Sequence, residues 1–138
     1  MNIDSIQNGI VIDHIAPGRA MRIYQMLRLS ELACPVAIIT GVHSNKMGKK
    51  DILKIDGEVQ LNLETIGYLT TDATVNYIED GKLVKKCHID PPERLVNVIR
   101  CQNPHCITST ERGVDHIFLY TDAGEYRCIY CEALLKEE

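Results

Sequence analysis

Apolar positions over the first 90 residues switch between two periods. Gly9–Ile15 (GIVIDHI) is short, β-branched and bounded by Asn8-Gly9 and Ala16-Pro17, which predicts a strand. After Pro17-Gly18, Ala20, Ile23, Tyr24 and Leu27 recur at helical spacing, with Arg19, Arg22 and Arg28 off that face. Residues 36–42 predict a second, buried strand, and Gly48–Ile55 a third, entered through the turn-forming Ser44-Asn45. Asn62 stands where it can cap a short helix carrying Leu63, Ile66 and Leu69. Residues 73–78 and Lys82–His88 predict a hairpin around Asp80-Gly81. The order β-α-β-β-α-β-β predicts an α+β fold, an N-terminal ferredoxin-like α/β sandwich with one extra strand.

The pattern breaks at Asp90-Pro91-Pro92-Glu93, where two prolines impose an extended, stiff path. Beyond it, residues 115–121 read as a strand and Tyr126-Arg127 leads into a cysteine pair, so a small antiparallel β domain is expected. The expected domains are residues 1–92 and 93–138. Charge supports the division: residues 1–100 carry 12 basic and 12 acidic side chains, whereas residues 101–138 carry three and seven.

Composition narrows the class. The chain has 138 residues, 45% hydrophobic and 25% charged, which is too apolar for disorder. With no Trp and one Phe, aliphatic side chains must fill the larger core, and the second module has too few of them to fold convincingly alone. The longest uninterrupted apolar stretch, residues 36–39, is far too short to span a membrane as a helix. Met1-Asn2-Ile3-Asp4 lacks the basic start and apolar stretch of a signal peptide, so a cytoplasmic location is expected.

In that compartment a disulfide framework is not expected, yet there are six cysteines, four of them in the last 38 residues. Cys101-Gln-Asn-Pro-His-Cys106 and Cys128-Ile-Tyr-Cys131 are paired thiols that can grip one tetrahedral ion from two tight turns. Four thiolates suit a single structural Zn²⁺ and leave no open position for water or substrate. Iron–sulfur ligation and plain buried thiols are the alternatives. Cys34 and Cys87, isolated in apolar stretches, read as small core residues, and His105 as solvent-facing. A zinc ribbon that grips nucleic acid is opposed by charge: four thiolates and one Zn²⁺ take the module from −4 to about −6. Protein recognition fits better.

The neutral first module hides two basic clusters: Lys46, Lys49, Lys50 and Lys54, then Lys82, Lys85 and Lys86. Such lysines can simply guard a solvated sheet edge. Asp13-His14 at a strand end offers the other reading, a carboxylate for ribose hydroxyls beside point charges for phosphates. No Gly-x-Gly-x-x-Gly or Walker sequence is present, so a nucleotide site would be built from side chains.

Taken in order, Gly9-Ile-Val-Ile-Asp13-His14-Ile15, Met47-Gly-Lys-Lys-Asp-Ile-Leu-Lys-Ile55, Ala73-Thr-Val-Asn76, Pro92-Glu-Arg94 and the four cysteines resemble the regulatory chains of aspartate carbamoyltransferase over nearly the whole chain. The resemblance implies a non-catalytic subunit of an enzyme of pyrimidine biosynthesis. Its N-terminal domain would form a homodimer and bind CTP, UTP or ATP as allosteric effectors. Its zinc domain would dock on the catalytic chain. The same resemblance places Val11, Asp13 and His14 in the effector pocket, Lys54 near ribose and base, and Lys50 as added positive charge. It places Asn76 and Ile78 along base and sugar, Lys86 at the triphosphate, and Asn103 and Glu132 at the catalytic chain. Neither nucleic acid nor membrane is implied as a partner. The alternative is a zinc-ribbon protein that binds nucleic acid or another protein.

Overall fold

A five-stranded antiparallel sheet organises the first part of the chain in the computed structural model, which describes residues 6–135. Met1-Asn2-Ile3-Asp4, used in the reading above, lies outside the described residues. The elements are β1 (Gly9–Ile15), α1 (Ala20–Met26), β2 (Val36–Ser44), β3 (Gly48–Ile55), α2 (Leu63–Leu69), β4 (Thr74–Glu79) and β5 (Lys82–His88). The sheet order β2-β3-β1-β4-β5 is the ferredoxin-like arrangement with β5 added at one edge, as the pattern predicts.

Alternation explains the packing. Ile10 and Ile12 of β1, Leu53 and Ile55 of β3 and Val75 of β4 point to one face, where Ala20 and Ile23 of α1 and Ile66 and Leu69 of α2 cover them. Asn62 caps α2, its Oδ1 accepting the Glu64 N–H at 3.0 Å and the Thr65 N–H at 3.3 Å. Asp80 and Gly81 both take positive φ at the β4–β5 turn, the geometry that favours Asp-Gly in a two-residue hairpin. Gly9 is required by close approach: a Cβ there would run into the Ile55 carbonyl oxygen. Cys34 and Cys87 pack against this core as small apolar side chains.

Some boundaries differ from the sequence pattern for identifiable reasons. β2 runs to Ser44 because a bulge at Thr40-Gly41 lets pairing with β3 resume at Val42–Lys50. The bulge and the β1–α1 turn are both fastened by Asp51, which is 1% exposed on the core face of β3. Its carboxylate accepts the Gly18 N–H at 2.9 Å, the Gly41 N–H at 3.2 Å and the Ala20 N–H at 3.4 Å.

The chain divides between Asp90 and Pro91. In the second unit, β6 (Arg94–Val96), β7 (Ile117–Tyr120) and β8 (Tyr126–Cys128) form a three-stranded antiparallel sheet in that order, with a short helix α3 (Ile107–Thr110) between β6 and β7. β7 is shorter than the expected residues 115–121, because Asn97 binds Asp115 and His116 outside the ladder. Leu95, Phe118 and Cys128 align across the three strands and are all buried. Tyr126 adds its ring and donates its hydroxyl to the Pro92 carbonyl at 2.8 Å. That is a small core.

Replacing Asp51 with Ala removes the acceptor of three backbone N–H groups, that of buried Ala20 and those of Gly18 and Gly41. The first unit is then expected to lose about 3 kcal/mol of stability. Urea unfolding followed by far-UV circular dichroism measures this, and an unshifted midpoint would contradict it.

Candidate functional site

The sheet face away from the helices is where the predicted pocket residues meet. Along β1, β3 and β4 the side chains between core positions are Val11 and Asp13, Lys50 and Lys54, and Asn76 and Ile78. Antiparallel partners share a face, so the register Ala37, Lys54, Val11, Asn76, Lys86 forms one row across all five strands. Ile78, paired with Gly9 and Leu83, sits in the adjacent row. Lys54 and Lys86 are three strand spacings apart, about 14 Å. The Asn76 amide donates to the Val11 carbonyl at 3.2 Å, which fixes the middle of the row.

Asp13 and Lys50 are already joined on this face, Nζ to Oδ1 at 3.0 Å, both largely shielded from solvent. His14 takes positive φ at a bulge of β1, its N–H donates to Asp13 Oδ1 at 2.7 Å, and its Nδ1 lies 3.2 Å from the Thr74 hydroxyl. Burial alone would raise the Asp13 carboxyl, but Lys50 and the His14 N–H outweigh it and hold the group below the ordinary carboxylate range. Asp13 is matched by Lys50, and Lys54 and Lys86 stand in the row beside that pair.

In the second unit the sulfurs of Cys101, Cys106, Cys128 and Cys131 all lie within 4.8 Å of one another. Cys101 and Cys131 are 3.6 Å apart and Cys106 and Cys128 3.7 Å. Four sulfurs held tetrahedrally at Zn–S bonds of about 2.3 Å stand about 3.8 Å apart, so the cage fits one ion. An iron–sulfur cluster would hold its cysteines farther apart. His105 is exposed and outside the cage, its N–H donating to Asn103 Oδ1 at 3.0 Å.

Electrostatics at the four thiols are uneven. Burial, reinforced by the neighbouring sulfurs, pushes the Cys101 thiol up to about 12. Burial also acts on Cys131, but the Ala133 N–H, the Asn103 amide and the Cys101 and Cys128 thiols donate to it and hold it down at about 6. One bound structural Zn²⁺ supplies the charge that lets all four ionise. Asn103 thus lies against the cage, and Glu132 follows the last ligand with positive φ. Close by is an open cavity of about 630 Å³ lined in part by Leu119, Arg127, Ile129, Glu132 and Leu134.

Three contributors escape a sequence reading. Asp51 sits in the core phase of Lys-Lys-Asp-Ile-Leu-Lys-Ile, a signal that strict alternation exposes but a lysine cluster masks. Thr74, 5% exposed, orients His14 only because the fold brings residues 60 apart in sequence together. His116 accepts the Cys101 N–H at Nδ1, 3.1 Å, a contact with no local motif.

Comparison with known proteins agrees with this geometry. Residues 1–90 match the family model described as aspartate carbamoyltransferase regulatory chain, allosteric domain, and residues 93–138 match the metal binding domain of the same chain. Among curated relatives, the aspartate carbamoyltransferase regulatory chain of Clostridium acetobutylicum is 43% identical over 138 residues, covering 99% of this chain and 94% of the relative. That of Clostridium tetani is 41% identical, covering 99% and 96%, and that of Bifidobacterium longum 37%, covering 96% of each.

Two outcomes follow. Elemental analysis of the purified chain should find one zinc per chain, and Cys106→Ser should empty the site; undiminished zinc in that variant would mean that other ligands hold the ion. Asp13 should titrate below an unperturbed aspartate by carbon-detected NMR. The Lys50 pair then contributes fully above the ordinary aspartate value and is lost as pH falls through the lowered one. A midpoint at or above the ordinary value would contradict the pairing.

Proposed function

The chain belongs to the family of aspartate carbamoyltransferase regulatory chains, and from that premise we propose that its open sheet face binds a nucleoside triphosphate while its metal unit docks on a catalytic chain. It is a non-catalytic subunit with an allosteric and a metal-binding domain. The observation that carries the proposal is the single row Lys54, Val11, Asn76, Lys86 beside the Asp13–Lys50 pair. A nucleotide extended along it sets base and ribose near Val11, Lys54, Asn76 and Ile78, with Asp13 and His14 beside the sugar. Lys86 then serves the phosphates, and Lys50, held on Asp13, adds positive charge. CTP, UTP and ATP share that triphosphate-ribose chemistry.

Dimerisation of the N-terminal domain has a natural seat at β2. Its sequence, VAIITGVHS, carries no Lys, Arg, Asp or Glu, whereas β5 at the other edge carries Lys82, Lys85 and Lys86. Lysines on an edge oppose strand addition, so a second copy pairs at β2. In the metal unit, Val96, Ile107, Leu119, Tyr120, Ile129, Tyr130 and Leu134 are apolar and exposed, which suits a protein partner. With Asn103 and Glu132 beside the cage, that partner is the catalytic chain. The acidic excess of the same unit opposes nucleic acid.

Among the described residues no helix is long and apolar enough to cross a membrane. Thiols that must stay reduced to hold zinc support the cytoplasm. Regulation is then linkage: an effector that binds one quaternary state better than the other shifts the catalytic equilibrium by that difference, typically about 1–3 kcal/mol.

Lys86→Ala removes a charge from the end of the row without touching the core. Isothermal calorimetry should show nucleoside triphosphate affinity reduced about tenfold or more, with diphosphates affected less. Unchanged affinity would remove Lys86 and the direction of the bound nucleotide from the proposal.

A further inference from the structure

We propose that Thr108 is a positioning residue of the metal centre, its hydroxyl donating a hydrogen bond to the Cys106 thiolate and so retaining the zinc. This rests on the metal reading above and adds a residue to it.

Four thiolates and one dication leave two negative charges in a cage whose sulfurs are largely buried. Every donor aimed at a sulfur takes up part of that charge. Backbone N–H groups of Asn103, Thr108, Tyr130, Cys131 and Ala133 serve the four sulfurs, and they come with the loop conformations whatever side chains are present. Side-chain donors are the variable part. The Asn103 amide serves Cys131. On the opposite pair, Thr108 Oγ1 stands 3.2 Å from Cys106 Sγ, with Thr108 6% exposed and Cys106 1% exposed.

A threonine in a short helix has an easier partner. Two residues on in α3, Thr110 shows it: its hydroxyl donates to the Ile107 and Cys106 carbonyls at 3.4 and 3.5 Å. Thr108, in the same element, turns to sulfur at a shorter distance. Its burial leaves no water as a substitute acceptor, and a metal-bound thiolate can only accept, so the hydroxyl proton must lie on the oxygen. Outer hydrogen bonds of this kind are worth 10–100-fold in metal affinity in other proteins.

The test compares the full-length chain with Thr108→Val, which keeps the shape and removes the O–H, and Thr108→Ser, which keeps the O–H. Zinc release to a chromophoric chelator and the thiolate-to-metal charge-transfer band of the Co²⁺-loaded chain are the two readouts. Thr108→Val should release zinc about tenfold faster or more and shift the band to lower energy, as an unsupported thiolate gives up charge more readily. Thr108→Ser should stay within about twofold of the parent on both. If Thr108→Val keeps the parental rate and band, or if Thr108→Ser leaks as fast as Thr108→Val, the hydroxyl has no such role. A parent chain that takes up no Co²⁺ would instead remove the metal reading itself.

Discussion

Two seven-residue helices can cover only one face of a five-stranded sheet. Most of the first unit follows from that constraint. Strand alternation sends Ile10, Ile12, Leu53, Ile55 and Val75 beneath the helices, so the residues between them are presented together on the other side. A bare sheet face of that size would be an aggregation hazard if apolar and useless to a core if charged. Here it carries Asp13, Lys50, Lys54, Asn76 and Lys86 beside Val11 and Ile78, a mixed composition that water tolerates. That grouping is a consequence of one-sided packing.

The second unit solves the opposite problem. Leu95, Phe118 and Tyr126 are its largest buried apolar side chains, too few to offset the ordering of a unit that runs from Pro91 to Glu138. Cysteine sulfurs occupy the rest of the interior, and the ion that joins them substitutes for the missing apolar area. The Asn97–His116 exchange and the His116–Cys101 contact then tie β6 and β7 to the first metal loop. Metal and fold in this unit are therefore one equilibrium.

How far this was legible from sequence depended on whether the cause was local. β1, β3 and β5 could be read to the residue because alternation and punctuation are local, as are the Asn62 cap and the Asp80-Gly81 turn. The cysteine spacing marked the cage for the same reason. β6 was hidden because three residues after Pro91-Pro92 show no period, and they pair only because β7 arrives alongside. The bulge at His14 depends on Thr74, 60 residues away, and that at Thr40-Gly41 on Asp51, ten residues on and across the β2–β3 turn, where no local motif marks the pairing. The resemblance to a family, for its part, indicated which face residues to group before any strand order was known.

A rigid site also constrains where regulation can act. Asp13, Lys50, Val11 and Asn76 are bonded to one another across the inner strands, so a ligand that meets only these gains affinity with little to rearrange. Equal affinity for two states shifts nothing, however tight the binding. The differential contact must therefore involve a group whose surroundings can change. β5 is the edge strand, exposed along nearly its whole length, and it bears Lys86. From Lys86 the chain passes Cys87 and His88, which faces Asp72 and Asp90, and Ile89, which is 5% exposed and donates its N–H to the Ala73 carbonyl at 2.8 Å. The division between the units follows at once. Lys86 thus stands on an edge strand that is exposed along nearly its whole length and runs directly into the boundary at Asp90. Ile89, buried and bonded to Ala73, fixes the end of that strand in the core of the first unit just before the boundary.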